Sequence, residues 1–193
     1  LEDPAVEIVS TLFQSDEDQI TVDNKLYNIA SLAADTNYLK IVPIPILKTS
    51  RNKLLENPQD AIISEDLSRL IFGKEDPIGQ QITTSMGEMV TVVAVMGKPD
   101  TRFSMPFDLL ISNESANYRK YSMPHSLVKL HKGHSAASVN KEYEAFRKMS
   151  NFTNRLRICF YPLQKLYFDQ QVVTYLDKRL VGNYTHVLIL IAI

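Results

Sequence analysis

The chain has 193 residues, 45% hydrophobic and 22% charged, the balance of a globular protein that can bury a core of its own. Its formal net charge of −1 leaves no excess of positive charge to neutralise the phosphates of a nucleic acid, which argues against nucleic-acid binding. The same charge argues equally against binding to an anionic membrane surface. The single cysteine, Cys159, cannot form an internal disulfide, and its apolar neighbours predict a buried thiol.

The N-terminal part of the chain is predicted to be mostly extended. Strands are expected where apolar and polar residues alternate or flank a turn, over residues 4–13, 19–22 and 25–33. The acidic residues 15–18 predict a solvated turn, and Asp23-Asn24-Lys25 predicts the turn of a hairpin. Asp35 is placed to cap a short helix over residues 36–41.

The middle of the chain predicts one helix among strands. Strands are expected over residues 60–63, 80–84 and 89–96. Ser64 is a predicted N-cap, the helix after it carries an apolar stripe, and Gly73 ends it. Residues 76–79 predict a turn.

The remaining pattern predicts an α+β fold with helices packed on one face of a sheet. Further strands are expected over residues 107–111, 126–131 and 156–161, with a weak helix over 113–121 and a long helix over 136–149 capped by Ser135. Because residues 74–123 are mostly strands and turns, we expect a β-rich inserted lobe there. An α/β-layered lobe would then combine residues 1–73 with 124–165.

The two ends of the sequence predict a piece of a longer membrane protein. The chain begins at Leu1, and residues 187–193 form an unbroken apolar run that is too short to span a bilayer. We expect this run to be the start of a truncated transmembrane helix. The alternative is a buried terminal strand, since Val, Ile and Leu are also typical of central strands.

No motif for catalysis or cofactor binding is present in the sequence. It contains neither a glycine-rich phosphate loop nor a Gly-x-Ser-x-Gly turn. His131 and His134 are close in sequence, but no Cys or carboxylate cluster accompanies them, so a surface role is favoured over zinc. We therefore expect no enzyme activity, no cofactor and no metal.

One segment, residues 61–82, carries a more specific pattern. It places Ser64-Glu65 at a helix start, Phe72-Gly73 at the helix end, and Pro77-x-Gly79 after an acidic residue. This segment resembles the signature of the MacB-like periplasmic core domain of ABC transporter permeases, of the MacB/FtsX superfamily. Residues 37–41, 90–95 and 162–168 are also similar to stretches of that family.

The resemblance implies a two-lobed periplasmic domain between the first and second membrane helices of a bacterial inner-membrane permease. The α/β-layered lobe would be porter-like, and residues 166–186 would form a stalk that leads to the membrane helix. Glu65, Phe72, Gly73, Pro77 and Gly79 are interpreted as fold determinants rather than as catalytic residues.

The function expected from the resemblance is mechanical. A separate cytoplasmic subunit would hydrolyse ATP, and a permease dimer would transmit the motion through Val173, Leu176 and Leu180 to export a substrate or control a periplasmic partner. The alternative is a ligand-binding or sensory ectodomain of a membrane protein.

Overall fold

The structure, a computed structural model, describes residues 4–98, 107–114, 125–149, 157–162 and 187–192. Its contacts divide the chain into two units. We call Ser10–Pro124 the barrel unit, and Leu1–Val9 together with His125–Ile193 the terminal unit. This division groups residues 10–73 with residues 74–123, whereas the sequence pattern predicts separate lobes for them. The predicted lobes and their boundaries stay predictions.

Strands and helices together confirm the α+β class. The strands are β1 (Val6–Val22), β2 (Lys25–Ala34), β3 (Ile46–Thr49), β4 (Asp60–Ser64), β5 (Gln81–Thr84), β6 (Met89–Met96), β7 (Leu109–Ser112), β8 (His125–Leu130), β9 (Arg157–Pro162) and β10 (Val187–Ala192). The helices are α1 (Tyr38–Ile41), α2 (Glu65–Phe72) and α3 (Ala136–Met149). The sequence pattern does not predict strand β3, and the predicted helix over 113–121 falls largely outside the described residues.

Six strands of the barrel unit form a ring of pairings that closes on itself. The order around the ring is β1-β2-β7-β4-β6-β5, and β5 pairs again with β1. The β2–β7 and β4–β6 pairs are parallel and the other pairs are antiparallel. Closure satisfies the backbone groups that an open sheet would leave at its edges.

The core of this barrel comes from residues that alternate along the strands. It includes Phe13, Ile20, Val22, Ile29, Ala33, Ala61, Ile63, Ile82, Val90, Val92, Val95, Leu109 and Ile111. Leu67 of α2 joins the same cluster, so the helix covers part of the barrel core.

The hairpin between β1 and β2 is confirmed. Val22 pairs with Lys25, and the two residues between them, Asp23 and Asn24, have positive φ angles of 47° and 61°. Positive φ at both central positions defines a type I′ turn, whose twist matches that of the flanking strands.

The predicted turn at residues 15–18 is wrong. Strand β1 continues through this segment with a bulge, because Ser15 pairs with Ser31 while Asp18 pairs with Ile29. One extra residue on β1 reverses which side chains face inward. Phe13 and Ile20 are an odd number of residues apart, so one regular strand could not place both in the core, and the bulge allows it.

Asp35 binds backbone groups near α1, but it is not the N-cap of that helix. The N-cap is Asn37, whose side chain makes no capping hydrogen bond. The carboxylate of Asp35 accepts hydrogen bonds from the backbone N–H of Asn37 and of Thr11, both at 2.9 Å. Asp35 therefore connects the start of α1 to strand β1.

In the terminal unit, the strand order is β1-β8-β10-β9. Strand β10 runs parallel to both of its neighbours, with Leu190 opposite Ser126 of β8 and Phe160 of β9. Helix α3 contacts β9 and begins after Ser135, whose hydroxyl accepts from the backbone N–H of Ser138 at 3.2 Å. The predicted cap of this helix is confirmed.

The prediction that residues 187–193 begin a transmembrane helix is wrong for residues 187–192, which form β10. The alternative of a terminal strand is correct. An apolar Val/Ile/Leu run suits a strand between two parallel neighbours, which satisfy its backbone groups on both sides. None of the helices in the described ranges is long and apolar enough to cross a membrane.

Candidate functional site

The segment that carries the sequence signature folds as strand, helix and turn. Ser64 ends β4 and caps α2, its hydroxyl accepting from the backbone N–H of Leu67 at 3.1 Å. Glu65 begins the helix, where a carboxylate interacts favourably with the helix dipole, and it forms an ion pair with Arg69. The prediction that Ser64 caps the start of this helix is therefore confirmed.

The end of α2 also follows the prediction. Gly73 takes the C-cap position with a φ of +61°, and its N–H donates to the carbonyl of Arg69 at 3.0 Å. Phe72 is half-buried and packs against the barrel core together with Ile71. Leu70 is 65% exposed, so the buried stripe of this helix is narrower than its apolar sequence indicates.

The turn after α2 is held against strand β6. The N–H of Gln80 donates to the carbonyl of Pro77 at 3.1 Å, and Gly79 lies third in the turn with a φ of +86°, as a type II turn requires. The N–H of Gly79 then donates to the carbonyl of Val92 at 2.8 Å. Pro77 is buried, so the turn is part of the packed structure rather than a free loop.

An aspartate at the start of this turn fixes its geometry further. The Asp76 carboxylate accepts from the N–H of Ile78 at 3.0 Å and from the Lys48 ammonium at 2.7 Å. These two interactions hold the pKa of Asp76 below its ordinary value, with the lysine contribution first. The five signature residues thus lie along one continuous segment, Glu65 to Gly79, at the ends of a helix and in a turn.

A cavity of about 670 Å³ opens elsewhere in the barrel unit. Its lining comes from β1, β2, the β5–β6 turn and the residue before β7. The lining residues are Asp18, Gln19, Asn28, Ile29, Ala30, Ser85 and Asp108.

The bulge in β1 positions the first carboxylate of this cavity. Asp18 is 5% exposed, and its oxygens accept hydrogen bonds from the hydroxyls of Ser31 and Ser85. The backbone N–H of Gln19 donates to the same carboxylate at 2.8 Å. Three donors from three segments of the barrel unit thus fix the orientation of one carboxylate.

The second carboxylate connects the cavity to helix α2. The N–H of Asp108 donates to the Ala30 carbonyl at 2.8 Å, and the Asp108 carboxylate accepts from the N–H of Ala30 at 3.3 Å. The carbonyl of Asp108 accepts from the N–H of Ser64 at 2.8 Å, and its carboxylate accepts from the Ser64 hydroxyl at 3.3 Å. Ser64 therefore both caps α2 and positions Asp108.

The sequence patterns predict a binding role for neither carboxylate. The acidic run that contains Asp18 predicts a solvated turn, although the odd spacing of Phe13 and Ile20 is a signal that a bulge must lie between them. Asp108 precedes a buried strand, but its partner Ser64 is distant in the chain, and a long-range contact of this kind leaves no periodic signal.

The histidine pair is not part of this cavity lining, and the predicted stalk residues cannot be placed relative to it. Val173, Leu176 and Leu180 lie outside the described residues. His131 and His134 are both exposed, and the N–H of His134 donates to the carbonyl of His131 at 3.2 Å. Within the described part of the chain, no group of three His, Cys, Asp or Glu side chains comes together as a metal site would require.

The fold is that of extracytoplasmic domains of ABC-type transporters. A domain of a protein described as a permease, from Porphyromonas gingivalis, matches 76% of this chain and 71% of its own with a TM-score of 0.60 and 20% identity. The periplasmic region of MacB from Actinobacillus actinomycetemcomitans matches 77% of this chain and 69% of its own, with a TM-score of 0.59 and 14% identity.

A third solved structure has the same fold. The extracellular domain of the noncanonic ABC-type transporter YknZ, from Gram-positive bacteria, matches 78% of this chain and 79% of its own, with a TM-score of 0.59 and 16% identity. No family model matches the sequence, and neither does any curated protein. The likeness is therefore one of fold, at identities of 20% or less.

Proposed function

We propose that this chain is the non-catalytic extracytoplasmic domain of an ABC transporter permease, located at a bacterial inner membrane and facing the periplasm. The observation that carries the proposal is the shared fold, which covers 76–78% of the chain in three transporter domains. The pattern of residues 61–82 supports it independently, since that pattern is a property of the sequence alone.

In this proposal the domain changes position during transport but catalyses no reaction itself. ATP would be hydrolysed by a separate cytoplasmic subunit, and the permease, as a dimer, would transmit the motion through membrane helices to the periplasm. The result would be export of a substrate or control of a periplasmic partner. Residues 166–186 would act as the stalk, with Val173, Leu176 and Leu180 as its apolar stripe, because they recur at helical spacing.

The test introduces a charge into this stripe in the full-length permease. We expect Val173→Asp and Leu176→Asp to abolish complementation of the phenotype of a gene deletion. ATP hydrolysis by the reconstituted transporter should stay within about twofold of the wild type, because the charge would disrupt stalk packing rather than the ATPase. Gln171→Asp is the matched control, since helical spacing places it on the opposite side of the stalk.

Two results would argue against the coupling role. Full complementation by Val173→Asp and Leu176→Asp would show that the apolar stripe is not needed to couple ATP hydrolysis to transport. A loss of complementation by Gln171→Asp equal to that of Val173→Asp would show that the effect is not specific to the stripe.

A further inference from the structure

We propose that Met86 and Met89 are a site of reversible oxidation to methionine sulfoxide by a peroxide. The modification changes the polarity of the outer barrel surface and leaves the barrel folded. The proposal depends on the exposure of two thioethers and not on the transporter function, so the two can fail separately.

Strand pairing places Met89 on the outer face of the barrel. It lies opposite Thr83 of β5, and Thr83 in turn lies opposite Thr21 of β1. Thr21 lies opposite Leu26 of β2, so the four residues form one row across four strands. The next residue of β6, Val90, belongs to the barrel core. Because successive side chains point to opposite faces of a strand, Met89 and its row point away from that core.

Met86 is carried by the turn between β5 and β6. The N–H of Gly87 donates to the carbonyl of Thr84 at 2.9 Å, and the N–H of Thr84 donates to the carbonyl of Glu88 at 2.9 Å. Gly87 has a φ of +78°, a conformation that glycine adopts without strain. These contacts fix the backbone of the turn on both sides of Met86.

Exposure to solvent distinguishes three methionines of this segment. Met89 is 58% exposed and Met86 is 39% exposed, whereas Met96, at the end of β6, is 3% exposed. The sulfur of methionine is polarizable and is oxidised by small oxidants that reach it through solvent. We therefore expect Met86 and Met89 to react in the folded chain and Met96 to be protected.

The reaction transfers one oxygen atom to the thioether sulfur. A lone pair of the sulfur attacks one oxygen of hydrogen peroxide, and the S–O bond forms as the O–O bond breaks. The departing hydroxide takes up the remaining proton of the peroxide and becomes water. The sulfur loses two electrons and the peroxide gains them. A methionine sulfoxide reductase, which uses a thiol as the reductant, returns the sulfoxide to the thioether.

The location of the two side chains determines the effect of the added oxygen. A sulfoxide inside a core is a buried polar group and destabilises the fold. On the outer face the S=O group stays hydrated, so the core packing of β5 and β6 is not disturbed. The change is one of surface chemistry, because two flexible apolar side chains become polar.

The experiment treats the folded 193-residue chain with hydrogen peroxide and locates the added oxygen by mass spectrometry. Trypsin cleavage after Lys74 and Arg102 releases one peptide with all three methionines, because Pro99 prevents cleavage after Lys98. We expect Met86 and Met89 each to be oxidised at least about tenfold faster than Met96. In the urea-unfolded chain the three rates should lie within about twofold of one another, because the fold no longer protects Met96.

Two measurements separate a benign surface change from damage. Amide hydrogen exchange of β5 and β6 should be as slow in the oxidised chain as in the untreated chain, because the core is untouched. The variant M86L/M89L keeps apolar side chains of similar volume, and its peptide should gain oxygen only at the slow rate of Met96. If that variant does not fold, the comparison of three methionines in the wild-type peptide still decides.

The reversal is tested on the same oxidised sample. The two stereospecific methionine sulfoxide reductases with dithiothreitol should return the peptide to its original mass. Three results would overturn the proposal. They are oxidation of Met96 as fast as that of Met89 in the folded chain, loss of hydrogen-exchange protection in β5 and β6 on oxidation, and failure of the reductases to act on the folded chain when they repair the unfolded one.

Discussion

Gly79 has a φ of +86° in the turn that holds the end of the signature segment against β6. Nothing lies within 4 Å of the position that a Cβ atom would occupy, so space does not select glycine here. The backbone conformation does, because L-residues with a side chain rarely adopt this φ. The preference for glycine at this position therefore follows from one dihedral angle.

This conclusion predicts the effect of a single methyl group. Gly79→Ala should lower the free energy of unfolding by about 1 kcal/mol, through backbone strain alone. Gly79→Asn should lose less, since asparagine tolerates positive φ better than alanine does. Urea denaturation of the three proteins measures both values, and an alanine variant as stable as the wild type would contradict the account.

Single residues also show where sequence reasoning succeeds. Ser64, Gly73 and Gly79 can be identified as cap, helix end and turn because each satisfies a local backbone requirement that one residue type meets best. The environment of Asp18 cannot be identified in this way, because it depends on Ser31 and Ser85, which other segments contribute. A role that depends on neighbouring residues can be predicted from the sequence. The environment of a side chain whose partners are distant in the chain cannot.

At the scale of elements, helix α3 is attached to strand β9 by the amide side chain of Asn140, which hydrogen-bonds the backbone of that strand. The Nδ2 of Asn140 donates to the carbonyl of Phe160 at 2.8 Å, and the N–H of Phe160 donates to the Oδ1 of Asn140 at 2.7 Å. The amide thus pairs with β9 as a neighbouring strand would, on the side away from β10. This contact explains an asparagine within a helix, where its intrinsic propensity is poor.

Removing that amide should loosen the pairing at Phe160. Asn140→Ala is expected to lower the free energy of unfolding by roughly 2 kcal/mol and to speed hydrogen exchange at the Phe160 amide. Lys141→Ala, an exposed neighbour on the same helix, should change neither. Exchange at Phe160 that is equally slow in Asn140→Ala and the wild type would contradict the role of this contact.

Most elements are predictable from the sequence because their patterns are local. The alternation of β6, the cap and glycine of α2 and the stripe of α3 each lie within one segment. The exceptions are decided by packing. The acidic run of β1 forms a bulged strand, and the apolar run of β10 forms a strand because two parallel neighbours satisfy its backbone.

At the scale of the molecule, the ring of six strands depends on pairings between distant parts of the chain. Leu32 of β2 lies opposite Leu110 of β7. Strand β4 lies between β7 and β6, and neither of these strands is next to it in the sequence. Alternation identifies strands but not their partners, so the closed barrel and the cavity in it could not be derived from the sequence.

The central claim, that this chain faces the periplasm in a membrane transporter, is tested most directly by cysteine labelling of the full-length protein. Lys98→Cys places a thiol at a position whose side chain is 87% exposed, in a background where Cys159 and any other cysteine are replaced by serine. A membrane-impermeant maleimide is added to cells with a permeabilised outer membrane and an intact inner membrane. The account predicts labelling in these cells, and labelling only after the inner membrane is lysed would contradict it.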